Sequence, residues 1–371
     1  MPWFSIVFWV FIGVVIIQVT FFFIFLLYYA LKKATKPKAN STIPISIIVC
    51  AKNEAHNLKT NIPLLLDQSY QNFELILVND SSSDESLDVM EGLAQRNPNV
   101  KVVNVENVES FWGNKKYALT LGIKAATKAY LVFTDADCRP ASKKWLSLIS
   151  GSFSKDKRIV LGYGSYKRQK GSVINAVIRF ETLLTAIQYF SYARLGMPYM
   201  GVGRNLAYHR DVFFENSGYM KHMDIMSGDD DLFINSVATK SNVAILDHPE
   251  SITVSIPKKT WRDWIAQKRR HVSTASHYKP IHQVVLGVFY VSQLLFVVLS
   301  VLLLSFRFKW EIVLALILLR FGFSTFTYAK SASKLNEQGI TLLLPFLEVI
   351  LIISQFFIFI ANFISKPKHW N

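Results

Sequence analysis

The chain has 371 residues, 51% of them hydrophobic, and a formal net charge of +15 from 41 basic and 26 acidic side chains. This length allows one large domain or two modest ones. Two cysteines are too few for a disulfide framework or a zinc site, and they indicate a reducing compartment. Nucleic acid is one explanation of the basic charge, but no helix-turn-helix, zinc-finger or RNA-binding signature is present, so we expect no nucleic-acid partner.

Four long apolar segments predict membrane-spanning helices. Residues 1–31 and 283–306 contain no charged side chain, whereas residues 312–329 contain only Arg320 and residues 340–365 only Glu348. Each segment reaches or approaches the roughly 18–20 apolar residues that cross a bilayer. The alternative is a set of buried core helices, but such helices keep a polar face, which these segments mostly lack.

The basic residues predict how the chain is oriented. The run KKATKPK, residues 32–38, follows the first segment and places residues from about 32 to 280 in the cytoplasm, with the N-terminus outside. The first segment has no basic start and no small-residue cleavage site, so we interpret it as an anchor rather than a cleaved signal. Four crossings put the tail SKPKHWN outside although it is basic; either the third segment does not span, or the rule is overridden at this end. We expect a multi-pass cell-membrane protein whose basic surface favours anionic lipid.

The two isolated charges in the third and fourth segments are predicted to form a pair. If both segments span, Arg320 and Glu348 each lie about 12–15 Å from the connecting loop at a rise of 1.5 Å per residue. Charges within a membrane usually pair or line a polar path. We therefore expect an ion pair between Arg320 and Glu348.

Between the first two apolar segments, short β-rich runs alternate with helical stretches. The predicted strands are residues 45–50, 73–78, 100–105 and 129–134, and the predicted helices between them are 51–68, 81–96 and 115–127. Near-continuous apolar strands alternating with helices predict an α/β fold with a mostly parallel sheet. Such sheets bind ligands at the carboxyl ends of their strands, where Glu54, Asp80, Asp135 and Asp137 fall.

After residue 150 the alternation is less regular. The patterns predict, in order, a strand at 158–164, an amphipathic helix at 172–195, a segment GVGRNLAY at 201–208, a helix at 210–217 and a strand pair at 243–256. The stretch WRDWIAQKRRH, 261–271, has two tryptophans three residues apart among basic residues. This combination is typical of a helix that lies at the membrane interface.

Acidic and basic residues at these strand and helix ends have both a functional and a conformational interpretation. Asp135 and Asp137 can hold Mg²⁺ or Mn²⁺ and leave positions free for a diphosphate, or simply form a turn. Asp80 can bond a base or ribose, or cap a helix. Lys115 stands at a helix start, where a cation is slightly unfavourable unless a phosphate is nearby; the alternative is a solvated lysine.

Two further runs of charged residues have the same two interpretations. In GDDDL, three successive carboxylates repel one another, which suits a general base but is also typical of a helix N-terminus. In QKRRH, Gln267 and Arg270 share a helical face and can grip a diphosphate, or belong to a basic helix at the membrane surface.

Taken in this order, the motifs resemble the family 2 glycosyltransferases with a GT-A fold. The resemblance covers about residues 43–275 and is greatest to the membrane-integrated branch, which includes polysaccharide synthases and ceramide glucosyltransferases. It implies nucleoside binding by Asn53, Glu54 and Asp80. Lys115, followed by Ala118 and Leu119, is similar to an element near the phosphates. Asp135 and Asp137 match the family's Asp-x-Asp pair, in which the second residue is usually the metal ligand and the first, beside it, faces the nucleotide.

The resemblance also assigns the acceptor side. Residues 201–208, with Gly203, match the acceptor-side loop, and counting back from Leu232 makes Asp229 the base, with Asp230 as the fallback. Gln267 and Arg270 match a Gln-x-x-Arg-Trp motif, except that His271 replaces the tryptophan. Because that aromatic residue helps to form the acceptor site of processive synthases, its absence favours transfer of one or a few sugars.

The function that the resemblance implies is inverting transfer from a nucleotide sugar, with UDP as the family's commonest carrier, to a lipid or glycan acceptor at the membrane. A divalent cation, Mg²⁺ or Mn²⁺, is the implied cofactor. The alternatives are a processive polysaccharide synthase and a non-catalytic membrane scaffold with a nucleotide-binding domain. The predicted organisation is a GT-A (Rossmann-like) domain flanked by transmembrane helices: a helix at 1–31, the cytoplasmic domain at 32–260, an interfacial region at 261–282 and a membrane region with about three helices at 283–371.

Overall fold

The computed structural model describes residues 2–37, 42–106, 115–225 and 227–365. The end of the basic run at 32–38 and most of the basic C-terminal tail lie outside these residues. The chain forms two compact units. The sheet unit comprises the described residues within 34–167 and 195–257, and the helical unit comprises those within 2–33, 168–194 and 258–365.

The helices and strands are labelled in chain order. The α-helices of the described residues are α1 (Pro2–Phe25), α2 (Ala55–Leu66), α3 (Ser86–Arg96), α4 (Lys115–Ala125), α5 (Trp145–Ser150), α6 (Val173–Arg194), α7 (Arg210–Glu215), α8 (Asp231–Val237), α9 (Trp261–Thr274), α10 (Pro280–Ser305), α11 (Trp310–Lys334) and α12 (Leu344–Ile364). The strands are β1 (Ile45–Ala51), β2 (Phe73–Asp80), β3 (Val100–Val105), β4 (Tyr130–Phe133), β5 (Arg139–Pro140), β6 (Ile159–Leu161), β7 (Gly164–Tyr166), β8 (Leu206–His209), β9 (Val243–Ile245) and β10 (Thr253–Ser255).

The first four strands form the parallel half of the main sheet, as predicted. They lie in the order β3-β2-β1-β4, and Ile45 of β1 stands between Phe73 of β2 and Tyr130 of β4. All seven residues of β1 are buried, because helices cover both faces of a parallel sheet. The mostly parallel α/β fold predicted from these runs is therefore confirmed.

The other half of the sheet departs from the predicted pairing. Strand β8 lies antiparallel between β4 and β6, and β9 adds parallel to β6, which completes seven strands among the described residues. The predicted strand pair at 243–256 is wrong, because β9 and β10 belong to different sheets. A 3₁₀ turn at Pro249–Ser251 separates them, and β10 instead joins β5 and β7 in a second, three-stranded sheet.

The helical unit contains four helices that are long and apolar enough to cross a membrane. They span Trp3–Ala30, Pro280–Ser305, Trp310–Lys334 and Leu344–Ile364, so each predicted apolar segment, including the third, forms such a helix. Helix α6 belongs to this unit, and its prediction as amphipathic is wrong because 16 of its 22 residues are buried. Its charged Arg179 is buried against Glu337, at 2.5 Å.

The predicted pair of isolated charges is confirmed. Arg320 of α11 donates from both terminal nitrogens to Glu348 of α12, at 2.6 and 2.7 Å, and the two side chains are 1% and 2% exposed. The pair also connects the other two long helices, since Gln18 of α1 accepts from Arg320 and Gln293 of α10 donates to Glu348. One polar cluster thus links all four long helices.

Candidate functional site

Polar residues of the sheet unit meet at the carboxyl edge of the parallel strands. Strand β2 ends in Asp80, and β4 is followed directly by Asp135 and Asp137. The cavity at this edge has both apolar and polar lining residues. It is lined by Ile48, Cys50, Lys115, Leu119, Phe133, Thr134, Asp135, Gly203, Leu206, Tyr208, Tyr219, Asp229 and Asp230. Four of the residues predicted from the sequence to bind or react with substrate, or to bind metal, therefore share one cavity with Gly203.

Lys115 links the two acidic groups of the cavity. It begins α4, and its ammonium lies 2.8 Å from Oδ1 of Asp135 and 3.4 Å from Oδ2 of Asp229. These carboxylates raise the pKa of Lys115 against the opposing effect of its burial, so the side chain stays charged. A cation held between two carboxylates can shift to form a hydrogen-bonded ion pair with a phosphate that binds beside it.

The carboxylates after β4 fit a hard divalent cation. Ligand atoms of Asp135, Asp137 and Cys138 lie within 4.8 Å of one another. Burial raises the pKa of the Cys138 thiol, which is 1% exposed and shares hydrogen bonds with Asp137 and Ser255, so it is a neutral group rather than a thiolate ligand. Burial and neighbouring Asp135 raise the pKa of Asp137 to about 6, and a bound cation would relieve that repulsion. Two oxygen donors without a thiolate favour Mg²⁺ or Mn²⁺ over zinc.

The acidic segment at 229–231 gives its three carboxylates different surroundings. Asp229 faces Lys115 with its side chain 16% exposed. Asp230 caps α8 and accepts from the backbone N–H groups of Gly203 and Asp231, at 2.6 and 2.7 Å. Asp231 is buried as the first residue of α8. The segment therefore presents one carboxylate to the lysine and uses the next to hold the loop at Gly203.

Hydrogen bonds connect two of the residues predicted to bind the nucleoside, Asn53 and Glu54, to residues 83–86 after β2. Asn53 has φ +57°, which is not helical, and accepts from the backbone N–H of Ser83 at 2.8 Å. Helix α2 therefore begins at Ala55, inside the helix predicted at 51–68. The backbone N–H of Glu54 donates to Ser86 at 2.8 Å. Burial raises the pKa of Asp80 against the opposing charges of Lys52 and Lys115. The roles assigned to Asn53, Glu54 and Asp80 stay predictions.

Gln267 and Arg270 lie on α9 of the helical unit, and their role toward a diphosphate stays a prediction. Helix α9 begins after Thr260, whose side-chain oxygen accepts from the backbone N–H of Asp263. Burial lowers the pKa of the Arg270 guanidinium.

Two cations of the sheet unit, the half-buried Arg204 and the buried Lys116, escaped the sequence analysis. Arg204 follows Gly203, stacks over Tyr166 with 4.2 Å between its guanidinium carbon and the ring centre, and donates to the carbonyl oxygen of Ser165 at 3.0 Å. Its positive charge opposes the rise in the pKa of Asp137. Lys116, next to Lys115, is 1% exposed. The sequence offered one signal for Arg204 and Lys116, which is that each lies next to a residue of a motif. That signal does not distinguish a buried cation from a solvated one.

The glycine before the acidic segment has a backbone that other residues rarely adopt. Gly228 has φ +98°, and an added Cβ would lie 2.4 Å from Cδ1 of Leu232. We expect Gly228→Ala to lower the free energy of unfolding by about 1–3 kcal/mol and to displace Asp229. Chemical denaturation of the purified protein measures this loss. Gly92→Ala is the control, because a Cβ there meets only the Arg96 side chain at 3.6 Å; an equal loss in both variants would contradict the prediction.

Asp230 predicts a particular dependence of stability on pH. Burial and the charges of Asp229 and Asp231 raise its pKa from 3.8 to about 8. Between these values the folded state holds a proton that the unfolded state has released, so this group's contribution falls as pH rises and is lost above about 8. Asp230→Asn removes the titration, so its melting temperature relative to wild type is expected to increase from pH 5 to pH 8. Thermal unfolding across that range, with the exposed Asp88→Asn as control, checks this; a pH-independent difference would refute it.

Comparison with known proteins identifies the fold and the family. Residues 46–214 match the model of glycosyl transferase family 2. These residues belong to that family. The family prediction is confirmed; the particular membrane branch stays a prediction. The family 2 region runs from β1 to α7 and contains Asp80, Lys115, Asp135 and Asp137.

Relatives and a solved structure agree with this assignment. The chain is 24% identical over 204 residues to YibD, an uncharacterized glycosyltransferase of Escherichia coli, which covers 50% of this chain and 56% of YibD. It is 27% identical over 250 residues to the uncharacterized glycosyltransferase EpsJ of Bacillus subtilis, covering 63% and 70%. The alignment with YibD thus spans little more than half of that relative. The mannosyltransferase PcManGT of Pyrobaculum calidifontis, solved with GDP-Man and Mn²⁺, shares the fold at TM-score 0.57 and 18% identity, over 88% of this chain and 99% of PcManGT.

Proposed function

We propose that this chain is a membrane-bound, inverting glycosyltransferase that moves a sugar from a nucleotide-sugar donor to a hydroxyl of a lipid-linked or membrane-embedded acceptor. A UDP-sugar is the first donor to test. The observation that carries the proposal is the position of Lys115, within 4 Å of both Asp135 and Asp229, in a family 2 domain. One cation thereby connects the residue proposed beside the donor diphosphate with the residue proposed to activate the acceptor.

On the donor side, charged groups bind and neutralise the nucleoside diphosphate. Asp80, at the end of β2, is proposed to bond the base, while Asp135 faces the nucleotide. Asp135 and Asp137 are the residues that would hold Mg²⁺ or Mn²⁺, which when bound stabilises the negative charge of the leaving diphosphate. Lys115 shares this task from the start of α4. The charges together make the diphosphate a better leaving group.

On the acceptor side, Asp229 is the proposed general base. Asp230 is less suited, because its carboxylate accepts from two backbone N–H groups and its raised pKa keeps it protonated near neutral pH. Lys115 stabilises the Asp229 carboxylate before substrate binds. When a diphosphate draws the ammonium away, the Asp229 carboxylate is free to take the proton of the acceptor hydroxyl, whose oxygen attacks the anomeric carbon as the bond to the diphosphate breaks on the opposite face.

The helical unit supports the proposed acceptor class. Four helices long enough to span a membrane belong to the same chain as the family 2 domain. Lysines follow the first of them, which supports a cytoplasmic catalytic domain at the cell membrane. A catalytic domain held at the membrane meets acceptors that are themselves held there, such as lipids and lipid-linked glycans.

The proposal is tested with the full-length protein in lipid nanodiscs. Release of nucleoside diphosphate is measured across UDP- and GDP-sugars, with a crude lipid extract as acceptor source and with Mn²⁺, Mg²⁺ or EDTA. We expect release with at least one sugar, its loss with EDTA, and its loss in Asp137→Asn but not in the exposed Asp88→Asn. Absence of release with every donor would favour a non-catalytic scaffold. A ladder of long products on a gel would show processive synthesis instead of transfer of one or a few sugars.

A further inference from the structure

Two adjacent lysines at the start of α4 have different partners. Lys115 faces the carboxylates of Asp135 and Asp229, whereas Lys116 points elsewhere, because consecutive side chains on an α-helix are turned by about 100°. The Lys116 ammonium donates to the carbonyl oxygen of Ile225 at 2.8 Å and to that of His222. At 1% exposure, Lys116 is a buried cation that forms hydrogen bonds with backbone carbonyl oxygens.

The backbone that Lys116 holds leads into the acidic segment. His222 ends the 3₁₀ turn Met220–His222, and Ile225 stands four residues before Asp229. Four residues of chain reach at most about 14 Å even when extended, so the position of Ile225 limits where Asp229 can lie. Tyr219, at the other end of this stretch, lines the same cavity as Asp229 and Asp230. The Tyr219–Ile225 segment therefore begins at the cavity wall and leads toward the acidic segment.

Charge explains why a lysine is tolerated in this buried place. Burial lowers the pKa of Lys116, while the surrounding carboxylates of Asp224, Asp229, Asp230 and Asp231 act in the opposite direction. An apolar side chain of the same length would fill the space, but it would leave two carbonyl groups without these hydrogen bonds and the acidic segment with one fewer nearby cation. The contribution of Lys116 thus lies in its ammonium and not only in its packing.

We propose that Lys116 is a positioning residue, which latches the Tyr219–Ile225 segment to α4 and thereby sets Asp229 and Asp230 opposite Lys115 and Asp135. The role in turnover rests on the proposed function, but the latch itself does not. Loss of the latch leaves Lys115, Asp135 and Asp137 on their own elements. It therefore affects the acceptor side of the reaction more than donor binding.

The latch is tested first without any assay of sugar transfer. The full-length protein in nanodiscs is exposed to trypsin, and cleavage after the exposed Lys221 is followed by mass spectrometry. We expect Lys116→Met to speed this cleavage by about tenfold through more frequent local opening, and Lys116→Arg to restore much of the protection. Lys124→Met, an exposed position on the same helix, is the matched control. Unchanged cleavage in Lys116→Met would overturn the latch whatever the enzymatic activity proves to be.

The positioning role is tested with the donor found in the panel. We expect Lys116→Met to lower kcat by about tenfold or more while the Kd of the nucleoside diphosphate stays within about twofold, and Lys116→Arg to recover part of kcat. A parallel loss of donor binding and kcat, or a lower melting temperature with kcat unchanged, would show that Lys116 only stabilises the fold. If trypsin cleavage responds but no donor is turned over, the latch stands and the proposed function fails.

Discussion

Replacing Asp229 with asparagine is expected to lower kcat for sugar transfer by about 10²–10⁴-fold, because the amide cannot take the acceptor proton. Donor binding is expected to stay within about twofold of wild type, since Lys115 keeps its 2.8 Å contact with Asp135 when the contact with Asp229 is weakened. Single-turnover kinetics with the identified donor, together with titration of the free nucleoside diphosphate, separate the two effects.

Asp230→Asn is the variant that distinguishes the two candidate bases. The side-chain amide oxygen that this substitution introduces can still accept the N–H of Gly203, so the loop at Gly203 is expected to keep its position and kcat to fall less than in Asp229→Asn. The reverse order, with Asp230→Asn inactive and Asp229→Asn near wild type, would transfer the base role to Asp230. Asp88→Asn on exposed α3 controls for a general effect of removing one negative charge.

The position of the acidic residues at the strand ends could be predicted because local pattern decides it. Apolar runs at 73–78 and 129–134 must lie inside a covered sheet, and parallel strands end at a common edge. Asp80 and Asp135 follow such runs directly, so their arrival at one edge needs no knowledge of distant contacts. Arg320 and Glu348 were predictable for a similar reason, because helix rise alone fixes their depth.

The residues that were missed depend on contacts between distant parts of the chain. Lys115 and Lys116 have the same type and nearly the same position, and only the phase of α4 against the Tyr219–Ile225 segment separates their partners. Helix α6 contains charged residues whose spacing suggests an amphipathic helix. Its Arg179 is nevertheless buried, because it donates a hydrogen bond to Glu337, which is 158 residues away in the chain. Three-residue strands such as β9 and β10 are too short to show a period, so their pairing was predicted wrongly.

The ion pair of the helical unit predicts an asymmetry between single and double substitutions. Glu348→Met leaves the Arg320 charge buried with its carboxylate partner gone, so we expect it to lower the free energy of unfolding by about 3–5 kcal/mol. Arg320→Met is expected to cost a similar amount by leaving Glu348 without its cation. The double variant Arg320→Met, Glu348→Met carries no buried charge and is expected to recover most of the loss, because apolar residues of similar volume replace such pairs at little cost.

A double-mutant cycle measured by chemical denaturation in detergent micelles gives the coupling energy directly. The control cycle uses Lys59 and Glu85, a pair at 2.9 Å whose side chains are 57% and 74% exposed, and its coupling is expected to stay below about 1 kcal/mol. Equal coupling in the two cycles would mean that water reaches Arg320 and Glu348 in the folded protein. A large coupling for the buried pair alone would show that Arg320 and Glu348 hold α11 against α12, since apolar helices have little contrast with lipid to keep them together.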